Sequence, residues 1–89
     1  MRFEWDESKA ARNLTVHKVS FEYVTAIFQD TERRDLIENK KDYGEERHIV
    51  FGEIQGRLFV VVYTLRNEVV RIISARKANA REVANHEKI

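Results

Sequence analysis

The sequence contains no cysteine, which excludes a disulfide framework and any thiolate metal site. It contains three glycines, and they are scattered, so no glycine-rich phosphate loop exists. A nucleophile elbow and a paired-carboxylate motif are also missing. The three histidines, His17, His48 and His86, stand apart without metal-ligand spacing. No metal and no cofactor is expected. The longest apolar run, Leu58–Tyr63, falls far short of the roughly 20 residues that cross a bilayer. The opening segment MRFEWDESK has no apolar core of a secretory signal. These absences together point to the cytoplasm and away from a membrane.

What is present is a chain of 89 residues, 43% hydrophobic and 35% charged. That balance describes a globular domain spanning 1–89, near the lower size at which a core suffices without staples. The net charge of +1 hides an asymmetry. From Arg57 onward there are seven cations and three anions; residues 1–56 hold nine cations and twelve anions. The densest signal is Gly56–Lys77. Two apolar strand-like runs, Leu58–Thr64 and Val69–Ala75, flank a short turn at Asn67-Glu68. Arg66, Arg71, Arg76 and Lys77 sit on or beside them. Packing a core needs no arginine, whereas cations fixed on a rigid sheet suit a phosphate-bearing ligand.

The remaining elements follow from caps and periodicity. Arg2–Trp5 reads as a short extended start. Asp6 is an N-cap for a helix from about Glu7 to Val16, with Ala10, Ala11 and Leu14 as its modest apolar stripe. Ser20 caps a second helix, with Val19 and Val24 placed for a hydrophobic staple. Residues 29–46 are polar and poorly periodic. They read as a long loop with a turn at Gly44 and a short edge strand at Asp35–Ile37. From Arg47 the period becomes two: strand Arg47–Ile54, turn Gln55-Gly56, strand Arg57–Arg66, turn Asn67-Glu68 and strand Val69–Lys77. A short final helix starts near Asn79. The expected architecture is an α+β fold. It has an antiparallel sheet (a three-stranded meander plus the short N-terminal strand), two N-terminal helices on one face and a C-terminal helix.

The tight turns suggest a register. Ile54 opposite Arg57 places Val50 opposite Val61 and His48 opposite Tyr63. Arg66 opposite Val69 places Thr64 opposite Arg71, Val61 opposite Ser74 and Phe59 opposite Arg76. Alternation then sorts the sheet into two faces. One face, with Ile49, Phe51, Leu58, Val60, Val62, Ile73 and Ala75, is the expected floor for the N-terminal helices. Arg47, Thr64 and Arg71 lie at its end. The other face carries His48, Tyr63, Ser74 and Arg76 around a shallow polar-aromatic groove. Each of these residues also has an ordinary structural role open to it. Arg76 could pair with Glu82, Tyr63 could be a half-buried sheet tyrosine, and His17 could close the first helix against its dipole.

The opening FEWDESKAARNLTVHKVSF follows the pattern F-x-W-D-x-x-K-x-x-x-N-x-x-x-H-G-V-S-F. GEERHIVFGEIQGRLFVVVYTLR and VVRIISARKANARE extend the match to about Glu82. The chain resembles the BrnT family of toxins from type II toxin–antitoxin pairs. Lys18 departs from the pattern, standing where the family has glycine. The resemblance implies a RelE-like fold, metal-independent endoribonuclease activity that arrests growth, and a BrnA-type antitoxin as partner. That antitoxin binds DNA, so the toxin meets DNA only through it.

Cleavage of RNA without a metal needs a base for the 2′-hydroxyl, cationic stabilisation of the phosphorane and a proton for the 5′-oxygen. Arginine cannot serve as base, its pKa lying above about 12. Arg76 is therefore expected to clamp the phosphate, with Arg66, Arg71 and Lys77 as further RNA contacts. Tyr63 or His48 would move protons or stack a base. Arg47 would stand in for Arg71 if the other face is the active one. Two rival readings use the same surface: a non-catalytic nucleic-acid-binding protein, and a pure protein-interaction module. The antitoxin is expected to compete with RNA on the basic sheet face and on the segment Ala78–Ile89.

Overall fold

A computed structural model describes residues 1–42 and 44–87, except for the side chains of residues 39–42. The strands are β1 (Arg2–Trp5), β2 (Arg34–Asp42), β3 (Glu45–Ile54), β4 (Arg57–Arg66) and β5 (Val69–Lys77). The helices are α1 (Glu7–His17), α2 (Phe21–Val24), which runs on into a 3-10 turn at Thr25–Gln29, and α3 (Ala80–Glu87). The strands form one sheet in the order β1-β5-β4-β3-β2.

The α+β class expected from sequence is present, but the sheet is mixed rather than antiparallel. β1 runs parallel to β5, pairing Arg2 with Val69 and Trp5 with Ile72. The meander fixes only consecutive pairings, and it leaves one edge of β5 open, which β1 fills. The polar stretch after the 3-10 turn is also more ordered than its composition suggests. Instead of a loop with a three-residue strand, β2 is nine residues long and pairs antiparallel with β3. An edge strand faces water along one side, and its polarity hides the period.

Local chemistry explains the boundaries. The Asp6 carboxylate accepts from the Ser8 and Lys9 amides at 2.8 and 3.2 Å, which starts α1. The Ser20 hydroxyl accepts from the Tyr23 amide at 3.1 Å and starts α2. Asn79 and Glu82 form a reciprocal cap at the start of α3. Lys18 closes α1 in the left-handed region, φ 61°, the conformation a glycine would adopt freely. Gln55-Gly56 and Asn67-Glu68 have positive φ at both positions, as tight hairpin turns require.

The two N-terminal helices occupy the face opposite to the expected one. Phe21, Val24 and Ile27 pack with Val50, Phe59, Val61, Tyr63, Val70 and Ile72, all buried. The two faces are about equally apolar, so hydrophobicity alone did not decide between them. Gly52 is one local reason. A Cβ there would meet Ile27 Cγ1 at 2.6 Å, so the bare backbone of this face gives Ile27 its seat.

A bulge sets the rest. Tyr63 pairs with Ile72, but Val62 pairs with Ser74, leaving Ile73 as an extra residue on β5. Past that point β5 is shifted by one. Ala75 turns into the core, Val60 rather than Phe59 faces Arg76, and Phe59 faces Lys77. Beside the bulge, where β1 has ended, Asn13 of α1 takes over the strand's free hydrogen bonds. Its amide donates to the Ala75 carbonyl at 2.8 Å and its oxygen accepts from the Ala75 amide at 3.0 Å. It also donates to the Val19 carbonyl at 2.9 Å. One buried side chain thus ties α1, the α1–α2 link and β5 together.

Candidate nucleic-acid interface

The bulge separates the three residues expected to share one catalytic surface. His48 and Tyr63 remain on the face that the helices cover. Arg76 moves to the other face, beside Val60. The expected pairs Val61–Ser74 and Phe59–Arg76 are therefore corrected to Val61–Ala75 and Val60–Arg76.

Tyr63 is nearly buried, and its hydroxyl donates to Asp35 Oδ1 at 2.7 Å. Burial, followed by the Asp35 hydrogen bond and charge, pushes the phenol well above its ordinary range. Such a hydroxyl releases its proton poorly at neutral pH. His48 stacks on the Tyr63 ring with centroids 5.0 Å apart, and Phe28 meets the same ring edge-on at 5.2 Å. Arg33 completes this corner, bound to Asp35 at 3.2 Å and to the Phe28 and Asp30 carbonyls.

The opposite face collects arginines, four of them against a glutamate. Arg76 makes two 2.8 Å hydrogen bonds to Glu82 of α3, the pairing that had stood as its structural alternative. The Arg76 guanidinium in turn holds the Glu82 carboxyl down at about 2. Arg34 donates to the His86 carbonyl at 2.8 Å, so α3 is pinned across this end of the face at two points. At the other end Arg66 holds Glu45 through two contacts of 3.1 and 2.9 Å. Arg71 holds Glu4 at 2.9 Å, and Arg66 reaches the same carboxylate at 3.8 Å. The Arg66 hydrogen bond keeps the Glu45 carboxyl below its usual range. Arg47 Nε lies 3.3 Å from Glu38 Oε2, yet neither atom has a well-aligned hydrogen-bond partner. Thr64, fully buried, pairs with Arg71 on this face.

Arg66, Arg71, Glu45, Asp6 and Lys9 line a pocket of about 220 Å³ against Ile72 and Ile73. It brings together two of the expected RNA contacts, Arg66 and Arg71. Lys77 lies apart from them. It is exposed and lines a larger groove of about 510 Å³ with Arg57, Lys18 and Tyr23. Among the described residues no group of three or more His, Asp or Glu side chains is arranged to hold a metal ion. No helix among them is long and apolar enough to cross a membrane.

Sequence reasoning passed over Glu4, Glu45, Asp35 and Asn13. Glu4 was visible as the alternate residue of β1, but its partner Arg71 required knowledge that β1 pairs with β5. Asn13 belonged to the opening motif, and only its place beside Ala75 shows what it does.

No curated protein matches the chain. The profile of the family described as ribonuclease toxin, BrnT, of type II toxin-antitoxin system matches residues 5–82. That span begins at Trp5, the last residue of β1, runs through the Asp6 cap, Asn13 and strands β2 to β5, and ends at Glu82, the partner of Arg76. With nearly the whole chain matched, the chain belongs to the BrnT family of ribonuclease toxins.

Proposed function

We propose that this toxin cleaves RNA endonucleolytically and without a metal ion on the arginine–glutamate face, and that a BrnA-type antitoxin silences it by covering that face. The observation that carries the reading is the pocket in which Arg66 and Arg71 are each held by a carboxylate. A substrate phosphate would displace the glutamates and take both guanidinium groups. A freed carboxylate, Glu45 or Glu4, would stand beside the phosphate as base for the 2′-hydroxyl. Attack of that oxygen on phosphorus forms a 2′,3′-cyclic phosphate, and the 5′-oxygen leaves as a hydroxyl after taking up a proton. Arg66 and Arg71 stabilise the phosphorane charge in a site already organised by the sheet. On this reading Arg76, Tyr63 and His48 build the frame around the site and do not touch the scissile phosphate.

The test uses purified toxin, cellular RNA with and without ribosomes, and either EDTA or divalent metals. Cleavage in EDTA with cyclic-phosphate ends is expected. RNA left intact under every condition removes the ribonuclease reading for this chain. Binding that persists without cleavage would identify a nucleic-acid-binding module. Absence of any salt-sensitive RNA binding would identify a protein-interaction module. A titration with the cognate antitoxin checks the partner. RNA and antitoxin are expected to exclude one another, and a ternary complex with undiminished RNA affinity would place inhibition elsewhere.

A further inference from the structure

Beside the pocket of Arg66 and Arg71 lies a second hollow along the seam between α1 and β5. The two share Lys9 and Ile73. The second hollow, about 280 Å³, is lined by Arg12, His17 and Ser74 among others, and by no acid. Where α1 ends, the large groove begins. Its walls are Leu14, Lys18 and Tyr23 on the helix side and Arg57, Phe59 and Lys77 on the sheet side, again without an acid. Among the described residues Arg57 and Lys77 are exposed, and neither takes part in any of the molecule's ion pairs. The bulge that carries Arg76 to the far face sets Lys77 opposite Phe59 in this groove.

Tyr23 is well placed at the groove wall. It is 42% exposed, its hydroxyl donates to Gln55 Oε1 at 2.6 Å, and its ring is braced against Phe59 with centroids 5.7 Å apart. A ring held at both ends loses little freedom on stacking a base, and stacking tolerates any base.

We propose that the single strand of RNA leaving the cleavage pocket follows the α1–β5 seam into this groove, where Arg57 and Lys77 take phosphates and Tyr23 takes a base. The proposal rests on the ribonuclease reading and assigns the toxin a substrate class: unpaired RNA long enough to reach from one site to the other. An unpaired strand fits because its bases are free to stack and its phosphates match Arg57 and Lys77 in a groove whose lining holds no carboxylate.

The test measures binding of a 2′-O-methyl RNA strand of roughly ten nucleotides, which cannot be cleaved through its 2′-oxygen, by anisotropy over a salt series. For Arg57→Gln/Lys77→Gln the slope of log affinity against log salt is expected to shrink by about 1.4, two contacts at roughly 0.7 each. Arg81→Gln on α3 is the charge-loss control and is expected to leave the slope unchanged. Photocrosslinking of a thiouridine-bearing strand to the unaltered protein, read by peptide mapping, is expected to label the Tyr23 segment whatever the variants' stability. An unchanged slope in the double variant, an equal effect of Arg81→Gln, or crosslinks confined elsewhere overturns the groove assignment. So does a double variant that loses the antitoxin but keeps RNA. If the unaltered protein cleaves RNA and the double variant binds normally, the groove falls and the ribonuclease reading stands. If the unaltered protein neither binds nor cleaves RNA, both fall.

Discussion

On one face of the sheet Arg47, Arg66, Arg71 and Arg76 each lie against a glutamate. In the groove beside the β3–β4 turn Arg57 and Lys77 line a wall that holds no acid. The same charge is therefore deployed in two ways. A paired arginine is held in one orientation, and a phosphate must displace its carboxylate, so the pairing favours geometry over attraction. An unpaired exposed cation attracts at long range and gives up bound counterions, but its head is free to move. Chemistry suits the first region and capture of a strand suits the second.

The strongest way to break this comparison is to remove a guanidinium from the paired face. Arg71→Gln and Arg66→Gln are each expected to lower cleavage by about 10²–10³-fold, the usual effect of losing one preorganised transition-state contact. Their melting temperatures should change little, because exposed ion pairs contribute roughly 0–1 kcal/mol. Single-turnover cleavage and thermal melts on the same preparations check both. Full activity in both variants would return the chemistry to the His48–Tyr63 corner.

Asn13→Ala attacks the seam between the two regions. It leaves the Ala75 amide and carbonyl and the Val19 carbonyl without partners in a buried place, and about 3 kcal/mol of stability should be lost. Denaturant unfolding measures it. A loss below about 0.5 kcal/mol would mean that water replaces the side chain and that α1 is not fixed by it.

Acid titration sharpens the role of pairing itself. Glu82 has its carboxyl lowered to about 2 in the folded protein from an ordinary 4.5. A depressed folded value means the stabilisation is complete above the unfolded value and is lost as pH falls through the folded one. The pair should therefore weaken between about pH 4.5 and 2. The contribution should be about 1 kcal/mol, since the Arg76 end is 40% exposed. Glu82→Gln is expected to flatten that part of the stability curve. An unaltered acid limb would show that the pair forms no more strongly than solvent contacts.

The smallest effect is expected at Lys18, which holds φ 61° at the groove's edge. Lys18→Gly should stabilise the fold by roughly 0.5–1 kcal/mol by removing left-handed strain. It also removes one groove cation, so the salt slope for RNA should shrink by no more than about 0.7. Destabilisation would show that the Lys18 ammonium on the Thr15 carbonyl outweighs the strain.

Much of the frame was legible because it rests on short-range rules. The Asp6 and Ser20 caps, the two-residue turns and the pairs His48–Tyr63 and Thr64–Arg71 follow from neighbours in sequence. The left-handed residue after His17 was signalled by the glycine that the family keeps there. β2 was harder to read, since an edge strand with charged side chains resembles a loop until its partner is known. The site was legible only as a set of arginines. Their glutamates come from β1, β3 and α3, and those pairings depend on contacts distant in the chain.

By itself the sequence determined the α+β class, the hairpin turns, the helix starts and the family, because each depends on local pattern or on motif. Tertiary structure decided three further matters. It set β1 parallel against β5, it seated the helices over Gly52, and it placed the extra residue Ile73 in β5. Side chains alternate with a period of two, so one inserted residue sends Arg76 to one face and Lys77 to the other. No composition or spacing along the chain marks that insertion, since it is settled by which partner β5 must satisfy on each edge.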